Sequence, residues 1–236
     1  VDLLRKIFLR QQSNIWKKAH NVIVISESIK DWLNKLNPAI NPIVVPYGVE
    51  IPEVKTTDNK SFPTLGFLGK LNKNKGIEDL VHVYGEMLKK ENFRDLEINL
   101  LIGGIGSESF IKDIKQKINN KNLKFLGYVE DRYNFFSSLD IFIFPSYSEG
   151  LGLVLLEAMS HGVLCITRNV SPMNSIIKHG VNGFLFNDNY ELQELIENAL
   201  KLNNLEIDNL VKSSLKTIEN SYSIIQMYSS IEKAYS

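Results

Sequence analysis

The apolar positions of this chain follow two alternating patterns. Short continuous apolar runs are separated by longer stretches in which apolar residues recur every three or four positions. The runs at 65–68, 96–102, 123–128, 140–144, 163–167 and 183–186 read as strands. A helix is predicted after Gly76, with Ile77, Leu80, Val81, Tyr84, Met87 and Leu88 on one face and Glu78 and Asp79 complementing the dipole of its first turn. Phe110, Ile111, Ile114 and Ile118 mark a second helix, and others are expected at 132–139, from about Leu153, and at 173–178, 190–202, 206–219 and 223–235. Nearer the start, strands at 22–25 and 43–45 flank a helix at 27–36 with Ser26 as its N-cap; Pro38 and Pro42 break it. Residues 50–61 are polar, contain Pro52 and read as a linker.

Strands of this kind, alternating with amphipathic helices, imply an α/β fold: a Rossmann-like parallel sheet with helices on both faces. In such sheets a ligand sits beyond the carboxyl ends of the strands, and the glycine turns of this chain fall at those ends.

Hydrophobic residues make up 44% and charged residues 23%, an ordinary globular balance. Lys+Arg and Asp+Glu are both 27, so no global field favours nucleic acid, and any anion site must be local. The single Cys165 excludes an internal disulfide and fits a reducing, cytoplasmic setting; its apolar neighbours mark it as a core residue. Apolar runs are too short to span a bilayer, and no signal peptide is visible. Leu3, Leu4, Ile7, Phe8 and Ile15 share a helical face beside Arg5, Lys6, Arg10, Lys17 and Lys18. That face fits peripheral contact with an anionic membrane, or packing on a further domain with the basic residues solvated. The chain starts at Val1 inside this pattern and reads as a fragment of a longer protein.

The chemistry concentrates around 148–159. The run at 141–144 stops at Pro145, and a Gly150-Leu151-Gly152 turn then opens a helix. A strand ending in a glycine turn before a helix presents free backbone N–H groups at a positive helix end, a phosphate site. Glu149 and Glu157 flank it, which suits a ligand with hydroxyls on both sides of its phosphates, such as a sugar nucleotide. Lys70, Lys73 and Lys75 crowd the loop from Gly69 to the next helix start, where the dipole disfavours cations; a diphosphate would offset them, whereas taken singly the loop reads as solvated lysines. No His/Cys cluster has metal-ligand spacing and no Asp-x-Asp pair occurs, so a metal-independent reaction is expected.

The segment 149–157 resembles the Glu-x7-Glu motif of the retaining GT-B glycosyltransferases of the large group 1 family (family 4), and the resemblance runs from about Ala19 to Phe186. It implies a domain that binds a nucleotide-sugar donor, a UDP-sugar by default, for transfer of a hexose to a glycan or lipid-linked acceptor, as in polysaccharide assembly. The acceptor would lie on a preceding domain, so that 1–48 is the remnant of that domain, 49–220 the donor domain and 221–236 a C-terminal helix, and the fragment by itself is expected to be inactive. By the same resemblance Lys70, where relatives have Arg, and Lys75 hold the diphosphate. Glu149 contacts the transferred sugar, and Glu157 accepts from the ribose hydroxyls; a helix-dipole role for Glu149 and an i,i+4 pairing of Glu157 with His161 are the alternatives. Gly150 and Gly152 let the backbone approach the ligand, so that the amides of Leu153 and Val154 meet phosphate. Gly69 and Gly104 lie in the glycine turns near the nucleotide, with plain turn geometry as the alternative for Gly104. Backbone groups at Tyr128 and Val129 pair with the base; Tyr128 either stacks on it or is a half-buried strand-end aromatic. Ser175 stands where relatives have Glu, and Leu164 where many have Pro. A non-catalytic sugar-nucleotide module and a sugar-nucleotide epimerase of the same fold remain as rival functions.

Overall fold

The computed structural model describes residues 15–16, 18–53, 63–94, 96–118 and 120–236. The basic N-terminal helix expected from Leu3 onward and most of the polar linker lie outside them. Among the described residues the chain first forms β1 (Ile23–Val24), α1 (Glu27–Leu36) and β2 (Ile43–Val44), with β1 and β2 paired in parallel as a separate small sheet. Ser26 caps α1 as expected, accepting from the Ile29 amide at 3.4 Å.

The main sheet is built from β3 (Thr64–Leu68), β4 (Asn99–Gly103), β5 (Leu123–Gly127), β6 (Ile141–Phe144), β7 (Leu164–Arg168) and β8 (Phe184–Phe186). All described pairings are parallel, in the order β5-β4-β3-β6-β7-β8. The order reverses between β3 and β6. Chain growth runs outward from β3 in one direction and from β6 in the other, which opens a crevice between the loops that follow these two strands.

β3, β6 and β7 are buried along their whole length, which is why they read as unbroken apolar runs. Alternate side chains nevertheless serve different cores. Ile141 and Ile143 join Leu65, Phe67 and Ile166 on the face covered by α2 (Ile77–Lys89), α4 (Glu108–Lys117) and α8 (Asn189–Ala199). Phe142 and Phe144 join Leu68 and Cys165 on the face covered by α5 (Arg132–Ser137), α6 (Leu153–Ser160) and α9 (Asn204–Ser221). Cys165 is buried as expected, and burial pushes its thiol far up from the usual range.

Several element ends differ from expectation by two or three residues. β4 begins at Asn99 rather than Leu96, because α3 (Glu91–Arg94), a turn the periodicity did not signal, holds the Leu96 amide on the Phe93 carbonyl and leaves that leucine half exposed. α7 (Met173–Ile176) is shorter than the 173–178 expected. The final helix, α10 (Ile224–Tyr235), follows a bridge of Val49 to Ser223, so the chain's end is tied to the segment just after β2. No helix among the described residues is long and apolar enough to cross a membrane.

Tyr84 shows how tightly the first core is closed. Its ring is buried in the cluster while its hydroxyl donates to the Ile98 carbonyl at 2.6 Å, and burial raises its pKa to about 12. Tyr84→Phe leaves that carbonyl unpaired, a loss of about 1–2 kcal/mol, read as a fall in Tm of about 2–4 °C per kcal/mol in thermal unfolding. The folded-state pKa lies above the unfolded one, so this group's contribution is intact below about pH 10 and is lost as pH rises toward 12. The Phe variant is expected to show a shallower alkaline loss of stability than the wild type.

Candidate active site

The loop after β3 and the loop after β6 face each other across the crevice. The first loop is held flat against the end of β4. The Gly69 amide donates to the Gly103 carbonyl (3.1 Å), the Leu71 amide to Ile105 (2.8 Å) and the Gly104 amide to Gly127 (2.7 Å). Gly104 has φ +135°, and a Cβ there would stand 1.7 Å from the Gly69 oxygen. Gly104 is therefore required by backbone packing beneath the loop. Next comes a 3-10 turn, Lys73–Lys75, capped by the Asn72 side chain on the Lys75 amide at 3.2 Å. Gly76 (φ +66°) then reverses the chain into α2.

The second loop delivers Glu149 opposite that turn. Lys75 Nζ donates to Glu149 Oε1 at 2.5 Å, with both side chains mostly buried. The two residues predicted separately, as a phosphate ligand and a sugar contact, are thus partners across the crevice. Gly152 (φ +84°) is the left-handed residue that starts α6. The amides of Leu155 and Leu156 both bond its carbonyl, while those of Leu153 and Val154, in the first turn, have no partner within the helix. Gly150 lines the crevice too, but differs from Gly152 in its backbone. Its φ is not left-handed, and an added Cβ would make only ordinary contacts with Ile25 and Ile29. Its carbonyl instead accepts from Ser26 Oγ at 2.8 Å, which joins the small sheet's helix cap to the loop.

Two adjoining cavities occupy the crevice. One, of about 500 Å³, is lined by Lys70, Lys75, Glu149, Gly152, Leu153 and Val154, among others. The other, of about 1030 Å³, extends past Lys70 and Asn72 to Gly104, Ile105, Tyr128, Val129 and Arg132. They share Leu68, Gly69, Lys70 and Val154. Tyr128 is 71% exposed, so it is not the half-buried strand-end aromatic that the bland alternative supposed. Val129 is partly buried and packs on the core.

Glu157 differs from expectation in its surroundings. The run of leucines suggested a carboxylate enclosed by apolar groups, but α6 turns Glu157 to a partly exposed side, where Arg132 Nη1 reaches its two oxygens at 2.6 and 2.7 Å. His161 bonds the Glu157 carbonyl through Nδ1 at 2.7 Å rather than pairing with the carboxylate. Arg132 was not singled out in the sequence; it is 25 residues away from its partner, with no local signal of the pairing.

A second missed residue is Arg168, at the end of β7. It is buried, and its guanidinium donates to the Pro145 carbonyl (3.0 Å), the Asn187 carbonyl (3.3 Å) and Asp79 Oδ2 (2.6 Å). It lies 4.0 Å from the Tyr147 ring centroid, and the Tyr147 hydroxyl also donates to Asp79 at 2.5 Å. That bond to the carboxylate, more than burial, raises the Tyr147 pKa. The Tyr147 amide bonds the Asn74 carbonyl at 3.0 Å, so the two crevice loops are joined here as well.

A family model described as "Glycosyl transferases group 1" matches residues 50–223. The chain belongs to the group 1 glycosyltransferases. Among curated relatives it is 27% identical over 238 residues to the capsular polysaccharide biosynthesis glycosyltransferase CapM of Staphylococcus aureus, covering 92% of this chain and 61% of CapM. It is 26% identical over 210 residues to an Escherichia coli UDP-Gal:alpha-D-GlcNAc-diphosphoundecaprenol alpha-1,3-galactosyltransferase, covering 81% of this chain and 53% of that enzyme. The chain therefore spans somewhat over half the length of these relatives. Among solved structures, Anabaena HepE in complex with UDP superposes with a TM-score of 0.85 at 18% identity, over 98% of this chain and 67% of HepE. A glycosyltransferase from Rickettsia africae ESF-5 superposes with a TM-score of 0.82 at 19% identity, over 96% of this chain and 66% of its own. These likenesses establish the Rossmann-like glycosyltransferase fold. In this group 1 glycosyltransferase chain, the expected Glu149 and Glu157 lie on the loop and helix that border the crevice.

Replacing Arg168 by Ala strips three acceptors of their donor and leaves Asp79 without its cation. Loss of one partner of a buried pair costs about 3–5 kcal/mol, so thermal unfolding is expected to shift down by roughly 10 °C. Arg168→Lys, which keeps the charge but not the fork, is expected to fall between.

Proposed function

We propose that this chain is the donor-binding half of a retaining, metal-independent glycosyltransferase that moves a hexose from a nucleotide sugar, UDP-linked by default, to a glycan or lipid-linked acceptor. The observation that carries this is the meeting of Lys75 and Glu149 at a cavity that Leu153 and Val154 of the first turn of α6 also line, at the reversal point of the sheet. A diphosphate in the smaller cavity would face Lys70, Lys75 and those amides. The nucleoside would extend into the larger cavity toward Tyr128 and Val129, with the ribose turned to Glu157. The sugar would lie beside Glu149. A relative named for UDP-Gal and neighbours crystallised with UDP and UDP-glucose support this choice of donor.

The chemistry then follows from where charge develops. The bond between the anomeric carbon and the phosphate oxygen breaks through an oxocarbenium-like transition state, and negative charge builds on the departing diphosphate. Two lysines and a helix N-terminus fixed in advance stabilise that charge. Glu149, released from Lys75 as the diphosphate takes its place, would hold the sugar over the break. The acceptor belongs to the part of such proteins that this chain does not span, so the chain alone is expected to bind donor and transfer little. Contact with the inner face of a membrane would fall to the basic residues near the start of this chain, Arg5 to Lys18.

Calorimetry with UDP and uridine provides the test. The protein is expected to bind UDP, and Lys75→Ala to weaken it by roughly 10–100-fold, the value of one charge-assisted contact of about 1.5–3 kcal/mol. Uridine, which lacks the phosphates, should respond far less. Equal effects on both ligands would remove Lys75 from the phosphate site. Binding by the full-length protein without transfer would leave a non-catalytic module, and interconversion of the donor without acceptor would point to an epimerase.

A further inference from the structure

We infer that Arg132 is a positioning residue for the nucleotide: it fixes the Glu157 carboxylate and thereby makes binding depend on the ribose hydroxyls. This deepens the proposed function and rests on it.

Arg132 opens α5, directly after the cap Asp131, whose side chain takes the Asn134 amide at 2.9 Å. A cation in the first turn of a helix is opposed by the partial positive charge there, so this position brings Arg132 no local advantage. The side chain reaches away from its own helix to α6. Its Nη1 lies 2.6 and 2.7 Å from the two Glu157 oxygens. One nitrogen bridging both oxygens sets the orientation of the carboxylate and leaves its outer lone pairs open to two hydroxyl donors. Among the described residues the guanidinium makes no other hydrogen bond, so its remaining N–H groups are uncommitted.

Placement gives the pair its purpose. Arg132 lines both the 1030 Å³ cavity, with exposed Tyr128, and a neighbouring cavity of about 420 Å³ that holds Glu157. The guanidinium thus stands between the space for a nucleoside and the carboxylate meant to receive its ribose. The side chains are 47% and 26% exposed, and pairs this wet contribute little to folding. Stability does not account for one nitrogen bridging both carboxylate oxygens between two helices here, whereas orientation of a ligand-binding carboxylate does. The same exposure means that Arg132 can be removed without unfolding the protein.

The discriminating ligand is 2′-deoxyuridine diphosphate, measured against UDP by calorimetry on the purified protein. Wild type is expected to favour UDP by about tenfold, one hydrogen bond to a charged group. Arg132→Ala should weaken UDP by about tenfold and bring the ratio of the two ligands near unity, with Tm changed by no more than about 2 °C. Arg132→Lys, whose ammonium can bridge both oxygens as the single Nη1 does, should recover part of the affinity and part of the ratio. Unchanged UDP binding in Arg132→Ala would overturn the inference, as would weaker binding with the ratio intact or tighter binding. Failure of the proposed function is separate: it would appear as wild type that binds no UDP, or as Glu157→Gln that keeps the full preference for UDP.

Discussion

The geometry of the crevice depends on one buried guanidinium. In a parallel sheet the strand ends are held by the ladder, but the loops beyond them are not, and here four elements must meet at one edge. Arg168 leaves the end of β7 and bonds the Pro145 carbonyl after β6, the Asn187 carbonyl before α8 and Asp79 in the first turn of α2. Its faces are covered by Tyr147 and Phe186, at 4.0 and 4.9 Å. A planar fork with five donors can satisfy three acceptors in different directions while stacking on rings; an ammonium cannot. Burying the charge is costly, and its attraction to Asp79 does little more than offset that cost. What the arrangement contributes is position: Pro145 and Tyr147 are fixed, and Glu149 follows two residues later.

The crevice is therefore charged in a balanced way before any ligand arrives. Lys75 sits where the start of α2 opposes it, and Glu149 relieves that cost by crossing the gap. Glu157 is similarly balanced by Arg132. Each acid that could touch a sugar or ribose is paired with a base that could touch a phosphate or the same carboxylate. A nucleotide sugar would exchange partners within these pairs rather than meet isolated charges, which keeps the cost of the empty site low.

Much of this was legible in the sequence, for identifiable reasons. β3, β6 and β7 are buried on both faces, so each shows as an apolar run ended by glycine, proline or a polar residue. α1 has a serine cap and a proline stop, and its limits of 27–36 were met. The turns of the two crevice loops showed because glycine conformations are local: Gly76 and Gly152 are both left-handed. What could not be read is long-range pairing. The Arg168–Asp79 contact spans 89 positions and Arg132–Glu157 spans 25, and neither carries a periodic or compositional sign. The same limit explains Glu157, whose leucine neighbours belong to the buried side of α6 while it faces outward. It also explains Gly104, whose need for glycine comes from the Gly69 carbonyl on a different strand's loop.

That last contact bears on the lysine at position 70. The loop carrying it continues the sheet beyond the strand ends, through the bonds of Gly69 to Gly103 and Leu71 to Ile105. With Gly104 packed beneath, the backbone just before Lys70 is closed on the sheet side. The side chain is exposed and ends in a point charge, so Lys70 supplies positive potential rather than a fixed fork. Under the proposed function, directional recognition of phosphate would come from groups that are held: the first amides of α6 and Lys75, which its Asn72-capped turn and Glu149 keep in place. A lysine at position 70 would thus leave orientation to Lys75 on its own loop and to the helix start across the crevice, behind the turn that Arg168 holds.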